Sequence, residues 1–406
     1  MSDVTGWRSS TLRLIRDGWL MLGLALALFL FLEVGYRAQR WLRGTIRGAP
    51  ADTAFVVDRA HPYADSAWYP EFLRERNRLA FRWEPFVYSR VGAQAGRYVN
   101  IDSSGLRVVP QHPVPGGVPL RVFFFGGSTT WGWFDRDSST RPAVVAQRLA
   151  AAGYDAQVVN YAQTGFVSAQ GLVALMLELR RGHVPDVVVF WDGVNDITSA
   201  RQNGRVGVSM REFQQDSDAA FNARRRGTGS VGDPLSLRTL MRHSALLSRL
   251  LDRTQRPAPA WPVPEPVAFC RGVMQNWLGE ARVLDGLARA YGFRAVMIWQ
   301  PQWQTSGRPR SAYEHGAAAR EDVLAPGESG LTPHVRECAR VADSLVAARA
   351  AESILNWATL HSDDEETVFL DQYSHTTERA TAVEADTLAK VLLARLSKVR
   401  GGAILR

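Results

Sequence analysis

From residue 120 onward, short apolar runs alternate with longer stretches in which apolar residues recur at helical spacing. The apolar runs are rich in β-branched and aromatic residues, which is typical of buried strands. Buried strands that alternate with helices indicate a parallel sheet with helices on both faces, so we expect a three-layer α/β fold. The predicted strands are 120–125, 156–160, 185–191, 294–299 and 367–370, and the predicted helices are 141–152, 168–181, 270–291, 335–351 and 378–397.

The N-terminal part of the chain contains one long apolar segment. Residues 18–32 are almost wholly apolar and, together with 34–36, they reach the length of about 20 residues that crosses a bilayer. Arginines flank the segment on both sides, and it ends in Leu-Glu-Val-Gly-Tyr-Arg rather than in the small residues of a cleavage site. We therefore expect residues 1–36 to form a short cytoplasmic head and an uncleaved transmembrane anchor.

The charges beside this anchor allow two orientations. The C-terminal flank carries slightly more arginines, which under the positive-inside rule would leave the rest of the chain in the cytoplasm. Anchors with a short basic N-terminal head nonetheless commonly translocate the domain on their C-terminal side. We expect a single-pass protein of the cytoplasmic membrane whose main domain lies on the periplasmic or extracellular side.

Composition divides the rest of the chain into further segments. Residues 37–117 are rich in aromatic residues and arginine, and 97–107 has the pattern of a strand, a turn and a strand, so we expect a small membrane-proximal β-containing region. Prolines at 110, 113 and 115 mark a linker into the main domain, 118–397. The polar, Arg-rich segment 199–265 is predicted to be an insertion that borders the site, and 398–406 form a tail.

Charge and cysteine content exclude several classes of protein. The formal net charge is +8, but almost all of the positive charge is scattered arginine, with Lys390 and Lys398 the only lysines. No helix-turn-helix, zinc-finger or RNA-stacking signature accompanies these arginines, so we expect no nucleic-acid partner. Two cysteines, Cys270 and Cys338, are too few for a disulfide scaffold or a zinc module. They either form one bridge in an oxidising compartment or stay unpaired.

Four short blocks of polar and glycine residues come after predicted strands. In the first, Gly126-Gly127-Ser128, the glycines let the backbone turn tightly and bring a serine close to a substrate. The other three blocks are 160–165 (Asn-Tyr-Ala-Gln-Thr-Gly), 193–196 (Gly-Val-Asn-Asp) and 371–375 (Asp-Gln-Tyr-Ser-His). Because the carboxyl ends of parallel strands meet at one edge of the sheet, where α/β proteins bind ligands, we expect the four blocks to converge.

In this order the four blocks resemble the SGNH (GDSL-type) hydrolase superfamily, over roughly residues 118–397. The resemblance implies a flavodoxin-like α/β/α fold, and the Asn-x-Asp-x-x-Gly-Leu-Arg segment at 100–107 is similar to that of membrane-anchored bacterial members. It also implies that Ser128 is the nucleophile and His375 the base. The N–H groups of Ser128 and Gly165 and the side-chain amide of Asn195 would then form the oxyanion hole.

The chain departs from the family pattern at two positions. Gly127 stands where the first block more often has Asp. The acid that orients the histidine usually lies three residues before it; that position is Gln372 here, and the carboxylate of Asp371 lies four before. Replacing a triad Asp by an amide can cost about 10⁴-fold in rate. Asp371 is the predicted third member of the triad, with Gln372 as the alternative.

These residues predict a membrane-anchored serine esterase that acts through an acyl-enzyme on an acylated small molecule or polysaccharide. We expect an O-acetylated envelope polysaccharide as substrate, with lipid and lysophospholipid esters as open alternatives. Trp131, Trp133 and Trp303 either stack on its sugars or pack in the core. Two alternatives stay open: an SGNH-type polysaccharide O-acetyltransferase, and a catalytically weak carbohydrate-binding or assembly subunit of an envelope complex. The sequence contains no phosphate-loop, dinucleotide or zinc-protease motif, and the expected mechanism needs no cofactor or metal.

Overall fold

The computed structural model of the chain describes residues 4–46, 59–210, 265–317, 331–347 and 353–402. The described residues fall into two units, an N-terminal helix and a larger unit that begins after it. Most of the insertion predicted at 199–265 lies outside the described residues, and so does the end of the predicted tail.

The first unit is the helix α1 (Val4–Ile46). Its segment Arg16–Gln39 has a mean hydropathy of 2.0. At about 1.5 Å of rise per residue this segment is long enough for a hydrocarbon core roughly 30 Å thick. Within it, the carboxylate of Glu33 accepts a hydrogen bond from Arg37, one turn later, at 2.7 Å. By length and composition α1 is compatible with a membrane anchor or with a signal sequence.

The second unit opens with a helix and a hairpin. These are α2 (Tyr69–Asn77) and the antiparallel strands β1 (Phe81–Glu84) and β2 (Tyr88–Val91). The strand, turn and strand expected at 97–107 are isolated bridges, one of which joins Arg107 to Asn160. The buried carboxylate of Glu75, on α2, accepts the N–H groups of residues 97, 98 and 99 at 2.7 to 2.9 Å. The Glu75 contacts tie α2 to residues 97–99, and the bridge from Arg107 to Asn160 joins this region to the main sheet.

A five-stranded parallel sheet forms the centre of the second unit. Its strands are β3 (Val118–Gly126), β4 (Tyr154–Asn160), β5 (Val187–Asp192), β6 (Arg294–Trp299) and β7 (Ile354–Asn356). In space they lie in the order β4-β3-β5-β6-β7, and Phe124 on the central β3 pairs with Asn160 on one side and Val189 on the other. This order is that of flavodoxin-like folds, in which the ligand crevice lies where the chain switches direction, beside β3 and β5.

Helices cover both faces of the sheet, as predicted. In chain order they are α3 (Ser128–Trp131), α4 (Arg141–Ala151), α5 (Ser168–Arg180), α6 (Val194–Asn203), α7 (Pro266–Tyr291), α8 (Leu331–Ala347) and α9 (Glu378–Gly402). Phe125 and Phe190 face a core shared with α5, α7 and α8. Phe124 and Val189, one position away on the same strands, face the core under α4 and α9, because side chains alternate along a strand.

The first four predicted strands are confirmed within a few residues, but the fifth is wrong. The fifth strand of the sheet is β7, whose three residues pair with Met297–Trp299. Three residues give too short a pattern to recognise in the sequence. The predicted segment 367–370 instead makes a single antiparallel bridge, from Phe369 to Thr376, and is buried against Trp303 and Ala380.

A disulfide joins two helices of the second unit. Cys270 on α7 and Cys338 on α8 are bonded, which decides between the two states that the sequence left open. The bridge connects residues 68 positions apart. It therefore ties α7 to α8. The residues between these two helices include the segment 318–330, which the structure does not describe.

Candidate active site

Ser128 lies where the central strand ends. β3 stops at Gly126, whose φ of 151° suits glycine and where a Cβ would lie 2.4 Å from the carbonyl oxygen of Trp191. Two residues later Ser128 opens α3, and it is partly exposed while the rest of α3 is buried. The strand and the short helix thus hold a reachable hydroxyl at the carboxyl edge of the sheet.

Two short hydrogen bonds link the predicted nucleophile, base and acid. His375 Nε2 lies 2.7 Å from Ser128 Oγ, and His375 Nδ1 lies 2.6 Å from Asp371 Oδ2. The imidazole is buried, with 8% of its side chain exposed. A carboxylate on Nδ1 favours the tautomer whose Nε2 can accept the serine proton. The structure thus brings together all three residues that the sequence predicted.

The loop between residues 368 and 377 explains how an acid four positions before the histidine reaches it. Leu370 N–H donates to the His375 carbonyl at 2.8 Å, which closes a narrow hairpin. Inside the hairpin, Asp371 Oδ1 accepts the N–H groups of Tyr373 at 3.0 Å and His375 at 3.3 Å. Ser374 takes a left-handed φ of 63°. One carboxylate oxygen therefore builds the turn while the other meets the imidazole, and Gln372 does not occupy that place.

Asn195 and the segment that carries Gly165 lie beside the turn before Ser128. A Cβ on Gly127 would lie 2.2 Å from Asn195 Nδ2 and 3.1 Å from the carbonyl oxygen of Phe166, which follows Gly165. Asn195 lies in the first turn of α6, just after β5, and its Nδ2 donates to the Phe166 carbonyl at 2.8 Å, which leaves its second amide hydrogen available. Within the described chain, neither the N–H of Ser128 nor that of Gly165 has a protein acceptor. Such unpaired donors at a reactive serine suit the charge that develops on a carbonyl oxygen during acyl transfer.

Gly127 is fitted to Asn195. A Cβ at position 127 would lie 2.2 Å from Asn195 Nδ2 and 3.1 Å from the Phe166 carbonyl oxygen. Ordinary contacts between such atoms begin near 3.4 Å. The departure from the more common Asp is therefore explained here by packing, because a side chain at this position would displace the amide of Asn195.

Two buried arginines fix the turn that carries Ser128. Arg107, 1% exposed, donates to the carbonyls of Trp131, Gly132 and Asp135 just after α3. Arg141 donates to the Thr129 carbonyl at 2.8 Å. Neither role was predicted from the sequence. Arg107 ends the Asn-x-Asp-x-x-Gly-Leu-Arg segment, so that segment was the available signal.

Arg141 also belongs to a buried charge network. Its guanidinium pairs with Glu384 and lies 3.8 Å from the ring centre of Trp191. Glu384 accepts from His361 Nε2 at 3.0 Å, and Asp364 accepts from His361 Nδ1 at 2.6 Å. Burial opposes charge on His361, but the two carboxylates outweigh it and raise its pKa. His361 thus joins Asp364 to Glu384 on α9, and the Arg141–Glu384 pair connects α9 to α4.

Two buried acids, Asp192 and Asp196, and the half-buried Glu280 lie close to Asn195 in the chain or through Ser168. Asp196 Oδ1 accepts the hydroxyl of Ser168 at 2.5 Å, and Ser168 also hydrogen-bonds Glu280. Burial raises the pKa of Asp196 to about 6 and, with Asp196 as neighbour, that of Glu280 to about 8. Burial also raises the pKa of Asp192 well above its usual range. Burial thus opposes negative charge on these three acids. No set of His, Cys, Asp and Glu within the described residues could hold a metal ion.

The structure decides between sugar stacking and core packing for two of the three tryptophans. Trp131 and Trp303 are buried, with 0% and 6% of their surface exposed. Trp131 packs under Arg107, and Trp303 belongs to a small core with Phe369. Only Trp133 is half-buried, with its ring centre 6.4 Å from that of His375. Trp131 and Trp303 therefore pack in the core, and of the three only Trp133 stays a candidate for sugar stacking.

Comparison with known families agrees with this geometry. Residues 124–320 match the model of the GDSL-like Lipase/Acylhydrolase family. This part of the chain is a GDSL-like acylhydrolase domain. The match includes Ser128, Gly165 and Asn195 and ends before the loop with Asp371 and His375. The GDSL-like domain makes the protein a serine ester hydrolase.

Solved structures similar to the GDSL-like domain include three esterases and acylhydrolases. A lipase/acylhydrolase from Enterococcus faecalis is 15% identical, covers 68% of this chain and 96% of its own, and has a TM-score of 0.35. A carbohydrate acetylesterase family member from Sinorhizobium meliloti is 14% identical, covers 68% of this chain and 99% of its own, and has a TM-score of 0.31. An acetyl xylan esterase is 12% identical, covers 66% of this chain and 98% of its own, and has a TM-score of 0.33. These sequence identities and TM-scores are too low to support an argument about activity. No curated protein matches the sequence.

Proposed function

We propose that Ser128, His375 and Asp371 are the catalytic triad of an esterase that hydrolyses O-acyl esters. The observation that carries the proposal is the continuous pair of hydrogen bonds, 2.6 Å and 2.7 Å long, from Asp371 through His375 to Ser128. Ser128 is also partly exposed, so an ester can reach its hydroxyl.

In the proposed reaction the Ser128 hydroxyl attacks the ester carbonyl and gives its proton to His375 Nε2. The negative oxygen of the tetrahedral intermediate accepts hydrogen bonds from the N–H groups of Ser128 and Gly165 and from the amide of Asn195. The intermediate collapses, the C–O bond to the alcohol breaks, and the alkoxide takes the proton from His375. Water then attacks the acyl-enzyme with His375 as base, which releases the carboxylic acid and restores Ser128.

The geometry bears on the alternatives that the sequence left open. A catalytically weak binding subunit was suggested by the displaced acid, and the contact of Asp371 with the imidazole removes that reason. A transferase would use the same acyl-enzyme and differ only in having a sugar hydroxyl, not water, as acceptor. We therefore retain the hydrolase as the proposed function.

We further propose that the domain lies outside the cytoplasm, anchored by α1, and removes O-acetyl groups from an envelope polysaccharide. The Cys270–Cys338 disulfide supports this location, because such bridges persist in oxidising compartments and are rare in the cytosol. The length and composition of α1 support the anchor. A C-terminal alkaline phosphatase fusion, which is active only outside the cytoplasm, should be active; an inactive fusion beside a fluorescent cytoplasmic reporter would contradict this orientation.

The esterase proposal is tested with the full-length protein in detergent and p-nitrophenyl acetate as substrate. Ser128→Ala should lower kcat by more than about 1000-fold, because the nucleophile is lost while the fold stays intact. Ser138→Ala, an exposed serine ten residues away, is the matched control and should retain full activity. Equal activity of Ser128→Ala and the wild type would refute the proposed nucleophile.

A further inference from the structure

Arg76 brings a cation from the membrane-proximal part of the chain to the catalytic histidine. Its guanidinium carbon lies 5.0 Å from the ring centre of Trp133 and 4.8 Å from that of Phe134. The same two rings lie 6.4 Å and 5.6 Å from the imidazole of His375. A single layer of aromatic rings therefore separates Arg76 from His375.

Arg76 lacks the hydrogen bonds that the other buried arginines near Ser128 make. Its Nε and Nη1 are buried and have no hydrogen-bond partner in the described structure. Arg107 and Arg141, in contrast, donate to backbone carbonyls and carboxylates. Burial lowers the pKa of Arg76, while Tyr69 and, to a smaller extent, the carboxylate of Asp371 favour its charged form. The guanidinium is thus charged and largely desolvated, and two of its nitrogens lack an acceptor.

Burying the unpaired donors of Arg76 destabilises the fold, and filling the space between the two rings does not require an arginine. A buried donor without an acceptor is unfavourable, and contacts with two aromatic faces offset only part of that loss. An aliphatic side chain would fill the same space between the rings without this cost. Arg76 as a whole is only half-buried, so part of the residue is open to solvent and to a ligand.

We propose that Arg76 is an anion-binding subsite that selects acylated sugars carrying a carboxylate, so that the substrate is an acidic polysaccharide. A guanidinium suits a carboxylate because each N–H group that faces it makes a charge-assisted hydrogen bond. Trp133 and Tyr373, both half-buried beside His375, offer ring surface for the sugar itself. The inference rests on the proposed function, since it places the bound sugar next to Ser128 and His375.

The direct test is calorimetric binding of unacetylated trigalacturonate to the full-length protein in detergent. Arg76→Gln should weaken the binding roughly 10- to 100-fold, as expected for the loss of a charge-assisted hydrogen bond. The matched control is Arg74→Gln, which removes the same charge from an exposed position on α2 and should leave the affinity within about twofold. Failure of the wild type to bind, or an unchanged affinity in Arg76→Gln, would overturn the subsite.

A second measurement separates substrate recognition from an indirect effect through Asp371. Acetate release is compared for O-acetylated oligogalacturonides and neutral O-acetylated xylo-oligosaccharides. Loss of Arg76 should lower the acidic-to-neutral ratio of kcat/KM roughly 10- to 100-fold. An effect through Asp371 alone would lower both rates equally and leave the ratio unchanged, which would refute the proposal.

Two further controls keep the outcome interpretable. Arg76→Lys keeps a charge between the rings if the Gln variant does not fold, and it should bind several-fold more weakly than the wild type because N–H donors are lost. Inhibition by inorganic phosphate that depends on Arg76, without inhibition by galacturonate, would overturn the sugar assignment. If no ester is hydrolysed in a Ser128-dependent way, the proposed function fails, whereas the binding measurement still decides the subsite.

Discussion

The fit between Gly127 and Asn195 makes Gly127→Ala the most informative small change in the site. The added Cβ would lie 2.2 Å from Asn195 Nδ2. Non-bonded heavy atoms prefer separations of about 3.5 Å, so the amide must retreat by more than about 1 Å. A retreat of that size breaks the 2.8 Å hydrogen bond to the Phe166 carbonyl and moves the donor away from the developing oxyanion.

The expected effect is therefore that of losing one oxyanion donor. Such a loss typically lowers kcat by roughly 100- to 1000-fold, or about 2.7–4 kcal/mol of transition-state stabilisation. The KM for p-nitrophenyl acetate should change little, because the contact strengthens only in the transition state. Gly127→Asp, which restores the residue more common in the family, should harm activity in the same direction.

A double-mutant cycle tests the cause. If Gly127→Ala acts through the amide, it should have little further effect in an Asn195→Ala background. Gly286→Ala, in α7 where a Cβ meets open space, is the matched control and should keep full activity. Full activity of Gly127→Ala, or effects of Gly127→Ala and Asn195→Ala that simply multiply, would refute the reasoning.

Three other predictions rest on the described contacts. Asp371→Asn should lower kcat by about 10⁴-fold, whereas Gln372→Ala should cost less than about tenfold; the reverse order in steady-state kinetics would make Gln372 the orienting residue. Because the folded-state pKa of His361 is raised, its stabilisation should be full below pH about 6.5 and be lost as the pH rises through the folded value. The free energy of unfolding of the wild type minus that of His361→Gln should therefore fall as the pH rises above about 6.5, and a constant difference would contradict this. Reducing the Cys270–Cys338 bridge should cost about 2–4 kcal/mol in urea unfolding, and equal stability with and without reductant would show that the bridge contributes nothing.

Much of the fold could be predicted because its signals are local. The strands β3, β5 and β6 are continuous apolar runs, and each of β3 and β5 ends in a glycine-containing turn. Ser128 and Asn195 could be placed for the same reason, since each comes just after such a strand. β7 escaped because its three residues are recognisable only from their pairing with β6.

The contacts that complete the site are not local, and they were harder to predict from the sequence. Asp371 reaches His375 through a tight turn that its own side chain stabilises, whereas spacing alone left Gln372 as an alternative. Arg76 and Arg107 come from before the nucleophile strand and meet the site only after residues 59–117 pack on the sheet. Two arginines among many carry no pattern that distinguishes them before the chain folds.

The central claim is that His375 activates Ser128 as a nucleophile, and covalent trapping tests it most directly. The full-length protein is treated with a fluorophosphonate ester, and the modified peptide is identified by mass spectrometry. We predict a single adduct on Ser128, formed at a rate that falls by several orders of magnitude in His375→Ala. An adduct on another residue, or labelling of Ser128 at the same rate without His375, would contradict the account.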